Sequence, residues 1–331
     1  MDNNTPEQLM KLITAKWISK PIYIVSKLGI ADLLSKGAMS ITEIAQKTSS
    51  NEDYLYRIMR ALSSFGIFKE NRERQFEQTD MSSFLQKNVM GTFAILFNGE
   101  WNDKAWLELF DCVKTGEIPF EKAHGKNIMK YLKEDKYAFK IHNEANAIKS
   151  SRTHRAIVDC YDFSQFKTLT DVGGGTGALL SEILFENPEL QGILAEQPDV
   201  ILESEFFIEK FKFNERMKTA TCDFFKEVPK GSEAYLLSHI LHDWNDEQCE
   251  LILKNLRKVI GDNSKLLICE MIITEPNTSD ITTLLDLEML VMTGGRERTL
   301  NEYEFLLNKT GYKISEVFET MEGVSLIEAV I

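Results

Sequence analysis

The hydrophobic pattern of this chain changes period part-way along. Leu9, Leu12, Ile13, Trp17, Ile24, Leu28 and Leu33 recur at helical spacing, which predicts helix over 7–35. Pro21 should start a second helix or kink the first. Ser40-Ile41-Thr42-Glu43 is a capping box that opens a short helix through Gln46. Leu55, Ile58, Met59, Leu62 and Phe65 share one face of a helix over 51–65, with Gly66 as its stop. The polar stretch 69–78 predicts a β wing around Phe68 and Phe76. Residues 82–150 read as mostly helical and aromatic-rich (Phe93, Phe97, Trp101, Trp106, Phe110), with a loop at 116–125. Helical character persists to about Val158.

After a hinge at 162–167, short apolar runs alternate with amphipathic helices, the mark of a parallel α/β sheet. Strands are expected near 168–172, 191–195, 217–222, 234–240, 265–273, 312–318 and 324–331. A helix over 245–260 is capped by Asn245 with Gln248 at its third position. Cys249, Ile252, Leu253, Leu256, Val259 and Ile260 form its buried stripe. The change of period divides the chain into a mostly helical domain, 1–160, and an α/β domain, 161–331.

Candidate chemistry begins at Asp171-Val172-Gly173-Gly174-Gly175-Thr176-Gly177. An apolar strand enters this turn and a helical run leaves it. Glycines there let bare backbone approach a ligand, and the helix start aims N–H groups at it. Gly173-x-Gly175-x-x-Ala178 also fits the dinucleotide fingerprint, which alone is weak. The second strand ends in Glu196, placed to bind ribose hydroxyls in either an NAD or an S-adenosylmethionine (SAM) site. Three features favour SAM. The glycines read as GxGxG behind an acid, Asp171. An acidic pocket suits a sulfonium and an ammonium and repels a pyrophosphate. The third strand ends in Asp223-Phe224-Phe225, an acceptor for the adenine amino group beside a ring for the base.

The strand over 234–240 runs into His239-Ile240-Leu241-His242-Asp243-Trp244. His242 falls just past its carboxyl end, where open α/β sheets bind ligands. A histidine there can take the proton from a substrate hydroxyl as the oxygen attacks a methyl group. Its other nitrogen needs an acceptor, and Glu270 and Glu297 are the candidates. His239 is the rival base.

Composition narrows the class. The net charge of −13 disfavours nucleic acid as a partner. Two helices and a wing are the pattern of a winged helix-turn-helix. The helix in the recognition position carries Glu52 and Asp53 against Arg57 and Arg60, however, so it is no phosphate-seeking surface. A dimerisation scaffold is the better reading. No apolar run is long enough to span a bilayer, and the polar N-terminus is no signal peptide. Five scattered cysteines without CxxC spacing argue for free thiols in a reducing cytoplasm and against a structural metal.

These motifs together resemble the plant-caffeate and hydroxyindole type of SAM-dependent O-methyltransferase, a family also frequent in bacterial natural-product pathways. The matches are Asp171 to Gly177, Asp223-Phe224-Phe225 with Pro229, His242-Asp243-Trp244 followed by Asp246-Glu247, and Gly294-Gly295-Arg296-Glu297-Arg298-Thr299. Pro119-Phe120 and Ala123-His124-Gly125 match its middle region. The resemblance implies a Rossmann-like SAM-binding sheet behind an N-terminal winged-helix dimerisation and substrate-lid domain, a homodimer, and no metal. It implies His242 as general base flanked by Glu270 and Glu297. It implies cofactor contacts from Asp171, Gly173, Gly175, Glu196, Asp223 and Phe224, and acceptor contacts from Asn143, Asp243, Met289 and Met292. Two departures stand out. Ser238 occupies a position where plant members often carry a cofactor-binding Lys, and Glu196 replaces the commoner Asp. The expected activity is methylation of a phenolic hydroxyl on a secondary metabolite such as a polycyclic polyketide, yielding S-adenosylhomocysteine (SAH). The alternatives are non-methylating chemistry on the same fold (decarboxylation, hydroxylation or pericyclic) and a ligand-sensing winged-helix regulator.

Overall fold

A computed structural model describes residues 5–210, 215–274, 277 and 280–331. It divides into two compact units. One comprises 1–107 and 129–148, the other 108–128 and 149–331.

In the first unit the expected N-terminal helix is three: Thr5–Ile13, Lys16–Lys27 and Ile30–Leu34. Pro21 sits inside the second, at its sixth residue, where the helix forgoes the bond an N–H there would make to the Trp17 carbonyl. The Ser40 capping box is made as read, Ser40 accepting from the Glu43 N–H and Glu43 accepting from the Ser40 N–H. Its helix continues to Thr48. Helix Glu52–Ser64 follows, and Gly66 takes the left-handed conformation (φ 74°) that ends it. The wing is an antiparallel pair, Phe68–Glu70 with Gln75–Gln78, extended by Met39–Ser40. Ile30, Ile44, Met59, Leu62, Phe68 and Phe76 fill the core beneath it.

The second unit is built on one sheet. Its main strands are β1 (Thr168–Val172), β2 (Gln191–Glu196), β3 (Met217–Thr221), β4 (Ala234–Ser238), β5 (Lys265–Ile273), β6 (Lys313–Glu319) and β7 (Val324–Val330). Their spatial order is β6-β7-β5-β4-β1-β2-β3. β3, β2, β1, β4 and β5 pair in parallel, each with the next, while β7 is antiparallel to both β5 and β6. The parallel strands are near-continuous apolar runs because both faces are covered. Leu169, Leu236 and Leu267 pack on one side, and Tyr235, Leu237, Leu266 and Ile268 on the other. The strand order reverses between β1 and β4, so a crevice opens past their carboxyl ends.

Two expectations change. The stretch 116–125 contains a helix, Pro119–His124, with Pro119 at its first turn and Gly125 (φ 67°) as its stop. That is the asymmetry proline and glycine favour. The fourth strand stops at Ser238, two residues early, because His239 turns left-handed (φ 54°). Among the described residues no helix is long and apolar enough to cross a membrane. Leu236 is fully buried at the centre of the sheet, so Leu236→Ala should lower unfolding free energy by about 2–5 kcal/mol. Urea titration would measure it.

Candidate active site

The turn after β1 forms one wall of the crevice. Gly173, Gly175 and Gly177 have φ of 74°, 59° and 80°, a region closed to most side chains. A Cβ on Gly173 would lie 2.7 Å from Ile240 Cδ1 and 3.4 Å from Phe224 Cε1, so the Phe224 ring edge reaches the turn. A Cβ on Gly175 would meet nothing within 4 Å, so this glycine borders open space. Asp171 is buried beneath the turn, and neither of its carboxylate oxygens has a hydrogen-bond partner. Burial, with Glu196 nearby, pushes its pKa up to about 7. Glu196, at the end of β2, accepts from the Gly175 N–H (3.3 Å) and the Gln197 N–H (2.7 Å). Burial raises its pKa too. Two desolvated, incompletely paired carboxylates beside an open glycine backbone fit a cationic ligand and oppose a pyrophosphate.

Asp223 accepts from the Phe225 N–H (3.1 Å), and its other oxygen pairs with Lys226 at 2.8 Å, which lowers its pKa. Phe224 packs against Phe225 and Trp244, its carbonyl held by Asn255 at 3.0 Å. Ser238 is half-buried at the end of β4.

The facing wall is assembled from three segments. His239 donates its N–H to the Cys269 carbonyl, and a one-turn helix, Leu241–Asp243, carries His242. Glu270 lies inside β5 with no exposure. Its Oε1 accepts from the N–H groups of Ile240 (3.0 Å), Leu241 (2.8 Å) and His242 (3.4 Å). Its Oε2 stands 3.6 Å from His242 Nδ1 and 3.8 Å from His239 Nδ1. Glu297 Oε1 is the nearest partner of His242 Nδ1, at 3.0 Å. Nε2 is left 3.8 Å from Asp243 Oδ1. Burial opposes a charge on His242. The Glu270 carboxylate, the hydrogen bond to Glu297 and the charge of Asp243 overcome it and lift the pKa to about 9. Burial raises Glu270 to about 7 against the pull of His242. His239 is the contrast. Burial first, then Lys149 and the neighbouring histidines, drive its pKa well down, and neither ring nitrogen has a hydrogen-bond partner.

The remaining expected residues divide by unit. Met289 and Met292 are half-buried, one turn apart on helix Ile281–Met292 of this same unit. Asn143 is exposed on helix Lys136–Cys160, in the part that belongs to the first unit.

Two residues were not assigned from the sequence. Arg298 is fully buried. Its guanidinium donates to the carbonyls of Leu241 (2.9 Å) and Trp244 (3.0 Å) and pairs with Asp246 (2.8 Å). It ties the His242 turn to the Gly294–Thr299 motif. Gly295 closes the same seam, since a Cβ there would lie 2.0 Å from the His242 carbonyl. Arg298 stands in a quoted motif, so its position was visible although its role was not. The other is Lys149. Burial lowers its pKa, against the pull of Glu297, Glu270 and Asp243. It gave no signal in the sequence beyond being a lysine on a helix.

The comparisons with known proteins agree with this architecture. The O-methyltransferase domain model matches residues 106–313, and the O-methyltransferase dimerisation domain model matches 10–88. The chain belongs to the SAM-dependent O-methyltransferase family. It is 36% identical to the phenazine O-methyltransferase PhzM of Lysobacter antibioticus, over 97% of this chain and 95% of that protein. It superimposes on the mitomycin 7-O-methyltransferase MmcR with a TM-score of 0.91 at 30% identity, covering 98% of this chain and 97% of that one. It also matches CalO1, a methyltransferase of calicheamicin biosynthesis in its SAH-bound form (TM-score 0.86, 25% identity, 100% and 99% covered). The protein is therefore a SAM-dependent methyltransferase with a Rossmann-like sheet and an N-terminal dimerisation domain. Its relatives include both O- and N-methyltransferases.

The electrostatics of the methyltransferase site make a direct prediction. Histidine NMR should show His242 cationic at neutral pH and titrating near pH 9, the value its carboxylate neighbours impose. His239 should keep a neutral spectrum throughout that titration.

Proposed function

We propose that the enzyme methylates an aromatic hydroxyl of a secondary metabolite, with His242 as general base. The observation that carries this reading is the division of labour on one imidazole. Nδ1 is taken by Glu297, backed by Glu270, so the basic Nε2 is the nitrogen free to meet an acceptor hydroxyl. SAM supplies a methyl group already activated by its sulfonium. Asp171 and Glu196 offer negative charge for its cationic part and Gly173 and Gly175 offer backbone. Asp223, Phe224 and Ser238 complete the cofactor side. Asp243, Met289 and Met292 border the acceptor, with Asn143 assigned there by the resemblance. The protein's main tasks are to align the acceptor oxygen with the methyl and to remove its proton. As that proton arrives on Nε2, the two carboxylates stabilise the imidazolium.

Mass spectrometry of candidate phenols incubated with SAM tests the reaction. The expected product is heavier by one methylene unit, and a methylated amine would move the reading to N-methylation. His242→Ala should still fold and bind SAM while turnover falls by about 10²–10⁴-fold. For a neutral phenol, wild-type kcat/KM should rise with pH until His242 loses its proton near pH 9.

We also infer a homodimer through the dimerisation domain. Leu9, Leu12, Ile13 and Trp17 are all more than half exposed on the first two helices, an apolar face a second copy would cover. Trp17→Glu combined with Leu12→Glu should give a monomer by light scattering at micromolar concentration. The free thiols support a reducing compartment such as the cytoplasm for the enzyme.

A further inference from the structure

The proposed reaction draws on one nitrogen of His242 and leaves other donors beside it unused. Among the described residues, His239, His242 and Glu270 each offer one metal-ligating atom, and these atoms lie within 4.8 Å of one another. Glu270 Oε2 stands 3.6 Å from His242 Nδ1 and 3.8 Å from His239 Nδ1. Donors on a tetrahedral zinc ion, with bonds of about 2.0–2.2 Å, stand about 3.3–3.6 Å apart. The two Glu270 spacings already approach that range.

Most of these donors are otherwise unpaired. Glu270 is fully buried; its Oε1 takes three backbone N–H groups, and its Oε2 has no hydrogen-bond partner. Both ring nitrogens of His239 are buried without a partner, although the side chain as a whole stays 19% exposed, which gives an ion a way in. His242 Nδ1 alone is engaged, by Glu297 Oε1 at 3.0 Å. Buried polar atoms without partners are costly, and a shared cation satisfies them together. The charge suits a dication, since the carboxylates of Glu270, Glu297 and Asp243 all stand within 3.8 Å of a His242 ring nitrogen. Two imidazoles and one carboxylate select zinc, cobalt, nickel or copper over magnesium and calcium.

We propose that His239, His242 and Glu270 form a site for a divalent transition-metal ion of the zinc class, and that its occupation switches the enzyme off. The ion is no cofactor, because the sulfonium already activates the methyl group; it competes for the base. To coordinate, His242 releases its Nδ1 proton to water and gives that lone pair to the metal, which breaks the bond to Glu297. The neutral imidazole then carries its one proton on Nε2, so Nε2 has no lone pair for an acceptor hydroxyl. His239 supplies the third ligand, a task for a histidine that takes no proton in the reaction. Only the inhibition rests on His242 being the base; the site itself does not.

Titration of the metal-free protein with zinc, followed by histidine NMR, tests the site. The His239 and His242 resonances should shift together at one zinc per chain, and magnesium should move neither. His239→Asn removes the ligand and keeps a residue that tolerates the left-handed turn at φ 54°. By calorimetry it should weaken zinc binding at least about 100-fold, because losing even a residue that only hydrogen-bonds a ligand costs about 10–100-fold. Its SAH affinity and its metal-free turnover should match wild type. Zinc should abolish methylation of the phenol identified by mass spectrometry in wild type and spare the variant. Shifts of neither ring, a shift of His242 alone, or a zinc affinity unchanged in His239→Asn overturn the site. The NMR titration uses wild type only, so it decides even where the variant does not fold. Zinc seated on both rings with undiminished turnover would keep the site and strike His242 as the base, so the two readings fail separately.

Discussion

Glu270 is a carboxylate in the interior of a mixed sheet, and most of the wall that carries His242 is arranged around it. One oxygen gathers three successive N–H groups at the end of β4, which fixes the path of the chain from Ile240 to His242. The other faces the His242 ring. A buried carboxylate with these donors holds a loop more firmly than packing alone, because releasing it would strand both the charge and the donors. The left-handed turn at His239 is the local cost of that path. Arg298 does the complementary work from the opposite side, supplying donors to the carbonyls of Leu241 and Trp244. The segment is thereby clamped through both its N–H and its C=O groups.

Two histidines three residues apart emerge with opposite character. His242 is bracketed by Glu270 and Glu297 and gains basicity. His239 is half-buried, feels the positive charge of Lys149 and the other histidines, and loses it. Their separation follows the rule that burial disfavours the charged form unless an opposite charge reverses the balance. At neutral pH the two rings therefore differ in charge, His242 holding its proton and His239 biased strongly toward the neutral form.

The glycine turn after β1 uses the same currency differently. Asp171 and Glu196 are both desolvated acids, and Asp171 has no donor on either oxygen. Left alone, such a pair is destabilising. It becomes useful where a cationic ligand arrives, and the three left-handed glycines keep the backbone thin enough for that ligand to approach. The two walls of the crevice meet at Ile240, whose side chain would collide with any Cβ on Gly173.

The sequence by itself determined the architecture. Short apolar runs located the strands and period-3.6 runs the capped helices, and the GxGxG turn behind Asp171 and the His242-Asp243-Trp244 motif marked the strand ends that matter. Such features are local, set by backbone sterics and by side chains within a few residues, so they can be read without a fold. The short helix at Pro119–His124 was missed because a Gly-bounded six-residue stretch carries too little periodicity to separate it from a loop. The early end of β4 was missed because nothing in the sequence around His239 forces a positive φ; that turn is imposed by Glu270, thirty-one residues on. What the tertiary structure alone decided is ionisation. His239 and His242 look alike in the sequence, Arg298 is one of two arginines in a motif, and Lys149 is an unremarkable helix lysine. Their charges depend on which carboxylates lie within a few ångströms and how much water is excluded, and these distances exist only once β4, β5 and the Gly294–Thr299 turn have been brought together.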